Sequence, residues 1–142
     1  MISNSDIIAN SDALGTKTEQ LADILFQKEG YVKYESKIGS NNGFDGVYIK
    51  RSLSSPTDII INEAKQIKST GNIKLNPGNI STTLPAQMSD AWITNMIIKM
   101  TDTPGLTSLG NTLQQNVSKI TKTVTAVDKT TGEIVVLKLN SY

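Results

Sequence analysis

The chain has 142 residues, enough for one domain with a real core. It contains no cysteine and no histidine, which excludes disulfides, thiolate metal sites, a cysteine nucleophile, and imidazole as base or ligand. Any catalysis must therefore rest on carboxylates, lysines, hydroxyls or metal-bound water, and a formal charge of +1 says little about partners.

Residues 1–15 are polar and irregular and are expected to form a flexible segment ahead of a single domain at 16–142. No basic stretch followed by an apolar one marks a signal peptide there. Thr16, followed three residues later by Glu19, has the form of a capping box and predicts a helix to about Lys28, with Leu21, Ala22, Ile24 and Leu25 as its apolar stripe. Gly30 ends it. Tyr31–Lys37 alternates large and polar residues and predicts a strand. Asn42-Gly43 then marks a turn, and Phe44–Lys50 predicts a second strand. Residues 52–57 are expected as a loop before a third strand, Asp58–Ala64. Its run Ile59-Ile60-Ile61 is that of a central strand covered on both faces.

Residues 67–84, with Gly71, Pro77 and Gly78, predict a long loop, a length often tied to function. A helix is expected from Pro85 to about Met100, with Met88, Trp92 and Met96 at four-residue spacing as core, and a weaker one over 106–119. Strands at Thr123–Val127 and Glu133–Leu139 close the chain, joined as a hairpin through Asp128–Gly132. The fold class is therefore α/β (α+β), a mixed central sheet flanked by helices in the order α-β-β-β-α-(α)-β-β. No apolar run approaches the ~20 residues that span a bilayer.

The chemistry lies in Asn42-Gly43-Phe44-Asp45-Gly46-Val47 and Ile61-Asn62-Glu63-Ala64-Lys65. Asp45 heads one apolar strand and Glu63 ends its neighbour, so antiparallel pairing can bring both carboxylates to one side of the sheet. Carboxylate oxygens suit Mg²⁺ or Mn²⁺ and also bind Zn²⁺, and the cation offsets the repulsion between two close carboxylates. Lys65, two residues beyond Glu63, leaves the same face of the strand. There its ammonium can polarise a water or neutralise charge building on phosphorus. The Ala64 carbonyl is a candidate third ligand. Such a set serves phosphodiester hydrolysis, with Asp45, Glu63 and Lys65 as the catalytic residues. Glu19 joins them as a candidate, although its place in the capping box is also a sufficient reason for it. Lys50, Arg51, Lys65, Lys68 and Lys74 cluster in sequence and suggest either a basic patch or a solvated face.

These residues resemble the PD-(D/E)XK nuclease superfamily, whose core is a helix, three strands, a helix and a strand, the restriction-endonuclease-like fold. Glu19-Gln20-Leu21-Ala22 with Gly30-Tyr31 resembles its first helix, where a glutamate commonly joins the site. Gly43–Val47 resembles the strand with the metal-binding aspartate, and Ile61–Lys65 the strand with the (D/E)xK pair. The proline that usually precedes the aspartate is Phe44 here. Phe44-Asp45-Gly46-Val47, Glu63-Ala64-Lys65 and Gln87-Met88-Ser89-Asp90-Ala91-Trp92-Ile93 are further similar to the C-terminal toxin domains of contact-dependent growth inhibition and related polymorphic toxins. The likeness covers roughly residues 16–98.

This resemblance implies a metal-dependent endonuclease, exported as the C-terminal part of a large carrier protein. It would act on nucleic acid in the cytoplasm of a neighbouring bacterium and be neutralised in the producer by a cognate immunity protein. DNA is the favoured substrate, because these phrases resemble the deoxyribonuclease members most. A tRNA-cleaving toxin with the same metal site is the alternative, and a non-catalytic binding module a third.

Overall fold

The isoleucine run decides the architecture. The computed structural model describes residues 16–38, 42–67, 88–128 and 131–139, and in it Ile59, Ile60 and Ile61 are all buried. Side chains alternate across a strand, so three buried neighbours need cover on both faces. That cover comes from helix α1 (Thr16–Lys28) on one side and helices α2 (Asp90–Thr101) and α3 (Thr107–Gln115) on the other.

Between these layers, among the described residues, runs a five-stranded mixed sheet. Its strands are β1 (Val32–Tyr34), β4 (Gly46–Ser52), β5 (Ser55–Ile67), β6 (Ile120–Asp128) and β7 (Ile134–Lys138), side by side in that order. β5 lies antiparallel to β4 and parallel to β6, and the other pairs are antiparallel. A second, two-stranded ribbon joins β2 (Lys37–Ile38) to β3 (Asn42–Gly43). Ile59 and Ile61 join Val47, Ile49, Ile93, Ile97, Met100 and Leu113 in the larger core. Ile60 and Tyr48 point the other way, onto Ala22 and Phe26 of α1. No helix among the described residues is long and apolar enough to cross a membrane.

The expected mixed sheet and helices are present, with several boundaries moved. The strand expected at Tyr31–Lys37 is broken after Tyr34. Ser36 Oγ donates to the Phe44 carbonyl at 3.0 Å, so the chain leaves the main sheet and Lys37–Ile38 pairs with Asn42–Gly43 instead. The loop expected at 52–57 shrinks to a two-residue turn, Leu53-Ser54, with Leu53 at φ 58°. Pro56 is tolerated inside β5 because β6 reaches only to Ile59 and a register shift lies at Lys50/Arg51.

The helix expected from Pro85 begins later, at Asp90. Met88 is buried at φ 65°, outside the helix, and the Ser89 hydroxyl caps it by accepting from the Trp92 N–H at 3.2 Å. The helix expected over 106–119 stops at Gln115 and tightens into a 3₁₀ turn at Val117–Lys119. The expected segment 1–15, the loop residues 68–84 and the start of the Pro85 helix lie outside the described residues, as do Lys68 and Lys74.

Candidate active site

β4 and β5 are of unequal length, and the site forms where the shorter one ends. Their last paired residues at this end are Gly46 and Asn62, whereas β5 continues beside β6 to Ile67. The N–H of Ala64 therefore lacks a partner strand on the β4 side. Asp45, one residue ahead of β4, supplies one: its Oδ2 accepts from that N–H at 3.0 Å. The aspartate is thus fixed against the backbone between Glu63 and Lys65. Lys65 Nζ stands 3.6 Å from Glu63 Oε1, with the lysine side chain half-buried and Glu63 buried. The three residues that the sequence singles out share one corner of the sheet, and Ala64 lies between two of them.

A residue the sequence did not single out occupies the middle of this corner. Lys37 Nζ donates to Asp45 Oδ1 at 2.7 Å and lies 3.7 Å from Glu19 Oε1. Both Asp45 oxygens are thereby engaged, one by an ammonium and one by an amide. Burial alone would lower the Lys37 pKa. The hydrogen bond and charge of Asp45, with Glu19 and Glu63 adding to them, outweigh it and hold the ammonium above its ordinary value.

Glu19 behaves differently. Burial pushes its carboxyl above the ordinary 4.5, the Asp45 charge adds to this, and the pairing with Lys37 does not cancel them. Thr16 is the first helical residue, and Glu19, half-buried, is turned towards the Lys37 ammonium.

Gly46 is forced on this corner by its neighbour. A Cβ there would lie 2.5 Å from Tyr48 Cε2 and 2.6 Å from its hydroxyl, so the tyrosine ring lies over the glycine. The Tyr48 hydroxyl in turn donates a short hydrogen bond to Asp23 Oδ1 of α1. Burial and that bond raise the phenol far above its ordinary range. Asp23 also pairs with Lys33 Nζ at 2.9 Å. A chain of polar contacts, Tyr48–Asp23–Lys33, thus runs beside the site along the α1 face.

Of the five cations that cluster in sequence, the described three, Lys50, Arg51 and Lys65, do not form one patch. Lys50 and Arg51 lie at the turn end of β4, five or more residues from Asp45, which at about 3.3 Å per residue is more than about 16 Å away. There Lys50 stands over the Tyr31 ring at 4.8 Å and Arg51 over Tyr34 at 5.7 Å. Lys65 alone of the described three belongs to the site.

The chemistry of the donors fits a hard divalent cation: Asp45, Glu63 and the Ala64 carbonyl offer only oxygen. Lys37 gives a second sign of fit, since its ammonium already stands as a positive charge against Asp45 and Glu19. As they stand, no three acidic side chains among the described residues converge closely enough to hold a metal ion. Compared with known proteins, the chain matches no family model, no curated protein and no solved structure.

Lys37 had a sequence signal that spacing arguments passed over. Asn42-Gly43, expected as a turn, is instead strand β3, and Lys37 pairs with its Gly43, two residues ahead of Asp45. A lysine at that register is directed at the aspartate.

Proposed function

We propose that this protein is a metal-dependent endonuclease of restriction-endonuclease-like fold, hydrolysing phosphodiester bonds of DNA. The observation that carries this reading is the Asp45 carboxylate, bound to the Ala64 N–H between Glu63 and an ion-paired Lys65. Element order adds support: α1, β1, β4, β5, α2 and β6 run helix, three strands, helix, strand, with β6 parallel beside β5.

Asp45 and Glu63, with the Ala64 carbonyl, would hold Mg²⁺, Mn²⁺ or Zn²⁺. Such a cation, when bound, supplies an activated water and neutralises the scissile phosphate. Lys65 is held beside Glu63 and orients the attacking water or offsets the charge gathering on phosphorus. The ring of Tyr48 over Gly46 leaves no room for a side chain there and keeps the Asp45 backbone in one position. Glu19 closes the corner from α1.

The setting is part of the same proposal and rests on the toxin-like phrases in the sequence. The domain would be delivered from a large exported carrier, act in the cytoplasm of a neighbouring bacterium, and be held in check in its producer by a cognate immunity protein.

Supercoiled plasmid and total tRNA, each incubated with the full chain and Mg²⁺, Mn²⁺ or Zn²⁺, test the substrate. Nicking or linearisation of the plasmid is the expected result. Cleavage of tRNA alone moves the reading to a tRNA-cutting toxin with the same site. Cleavage of neither, with any of the three cations, rejects the nuclease and leaves a non-catalytic binding module.

A further inference from the structure

The Lys37 ammonium and a divalent cation have a common target in Asp45. Lys37 Nζ is 2.7 Å from Asp45 Oδ1, and the other oxygen of that carboxylate is committed to the Ala64 N–H. A cation bound by Asp45 has to take the lone pair that Lys37 now holds, or use a remaining one with a like charge a few ångströms away.

The lysine backbone, in contrast to its side chain, is fixed. Lys37 pairs with Gly43 in the small ribbon, and Gly43 is held at φ 100°, where a Cβ would lie 2.3 Å from the Ser36 carbonyl oxygen. The Ser36 hydroxyl ties the same ribbon to the Phe44 carbonyl, next to Asp45. The side chain is about 29% exposed, so its four-carbon stem can swing without unfolding anything.

We propose that Lys37 is a displaceable internal counter-ion: it neutralises Asp45 in the resting protein, gives way when a divalent cation binds, and then contacts a phosphate of the bound nucleic acid. This rests on the nuclease reading and deepens it. It assigns the resting site to a self-neutralised state, so that cation and polyanion binding favour each other. The cation releases the ammonium from Asp45 while Glu19 stays beside it, and the phosphate gives it a second anionic partner.

The test compares the full chain with Lys37→Met and Lys37→Gln, which remove the charge, and Lys37→Arg, which keeps it. Circular dichroism and thermal unfolding show which variants are folded, and the neutral pair provides two different shapes at one position. Calorimetric titration with Mn²⁺ alone reads cation affinity. An ion pair of this kind is worth up to about fivefold in an equilibrium, so the neutral variants should bind Mn²⁺ tighter by up to about fivefold, and Lys37→Arg like the wild type. Binding of a short DNA duplex, followed in Ca²⁺, should move the opposite way and weaken in the neutral variants.

That split, cation tighter and DNA weaker, is one a merely structural lysine would not produce. Mn²⁺ affinity that is unchanged or weaker in the folded neutral variants, with measurable binding in the wild type, overturns the counter-ion role alone. A wild type that binds no Mn²⁺ removes the nuclease reading and this proposal together. Tighter Mn²⁺ binding with unaltered DNA binding keeps the displacement and overturns the phosphate contact.

Discussion

The two faces of the sheet are built from different material. Under α2 and α3, Val47, Ile49, Ile59, Ile61 and Ile93 meet Met100 and Leu113 in the larger apolar core, and buried Lys122 pairs with Asp90 of α2. Under α1, apolar contact comes in two smaller clusters, Ala22, Phe26, Tyr48 and Ile60 in one and Leu21 with Val127 in the other, and polar groups take the rest. Buried Asn62 accepts from Thr123 and Thr125 hydroxyls at 2.7 and 3.0 Å, Tyr48 donates to Asp23, and Glu19 faces Lys37. One face holds the sheet together at roughly 25 cal/mol per Å² of apolar surface removed from water. The other contributes less apolar burial and instead fixes hydrogen-bond geometry, which is what a site for charged chemistry needs. Asp45, Lys37 and Glu19 meet where that polar face reaches the end of β4, whereas Glu63 and Lys65, in step with Ile59 and Ile61, leave the other side of β5.

This contrast predicts that stability and activity separate between the apolar core and the corner at the end of β4. Ile61→Ala should have the largest effect on the fold, a loss of about 2–5 kcal/mol in denaturant unfolding, because it empties a fully buried position. Activity of the fraction still folded should change little. A loss under about 1 kcal/mol would show that this face is not the main core.

Gly46→Ala should come next, at about 1–3 kcal/mol, because the new methyl pushes the Tyr48 ring off its place. Here activity should fall even where the protein is folded, since Tyr48 can no longer hold Asp23 while Asp45 stays in position. Full activity in folded Gly46→Ala would break the link between the tyrosine and the corner.

The smallest effect belongs to Glu19→Gln. The folded pKa of Glu19 lies above its ordinary 4.5, so the folded protein holds this proton more tightly than the unfolded chain. The stabilising contribution is then complete below about 4.5 and lost as pH rises through the folded pKa. Relative to wild type, Glu19→Gln should therefore gain stability between that range and pH 7, while nuclease activity declines. A variant equally displaced from wild type at pH 4 and pH 7 would contradict this.

Much of this arrangement was written in the sequence. Ile59-Ile60-Ile61 announced the buried central strand, and the Glu63-x-Lys65 spacing put both side chains on one face, because strand periodicity depends on local order alone. Asp45 was legible as a strand-head carboxylate, but its acceptance from the Ala64 N–H follows from β4 ending before β5, a difference in strand length that residues do not state. Lys37 was hidden for a related reason. Alternation from Tyr31 to Lys37 makes one strand on paper, whereas the Ser36 hydroxyl and the conformation of Gly43 break it and turn the lysine inward. Lys50 and Arg51 show the opposite error, since neighbours of Lys65 in sequence sit at the far end of the hairpin.

The hydrogen bond to Ala64 also changes how the aspartate should be tested. Asp45→Ala would leave a partly buried N–H without its acceptor, at a cost of about 1–3 kcal/mol, and would confuse fold with function. Asp45→Asn keeps an acceptor oxygen and removes the charge. The most direct measurement is plasmid cleavage by wild type, chelator-treated wild type and Asp45→Asn, at matched folded concentration with Mg²⁺, Mn²⁺ or Zn²⁺. Cleavage should disappear on chelation and return with added cation. It should fall more than about a hundredfold in Asp45→Asn, since even residues that only orient a metal ligand are worth 10–100-fold. Cleavage by Asp45→Asn within a few-fold of wild type, or cleavage that survives complete chelation, would contradict a cation-dependent centre built on Asp45, Glu63 and Lys65.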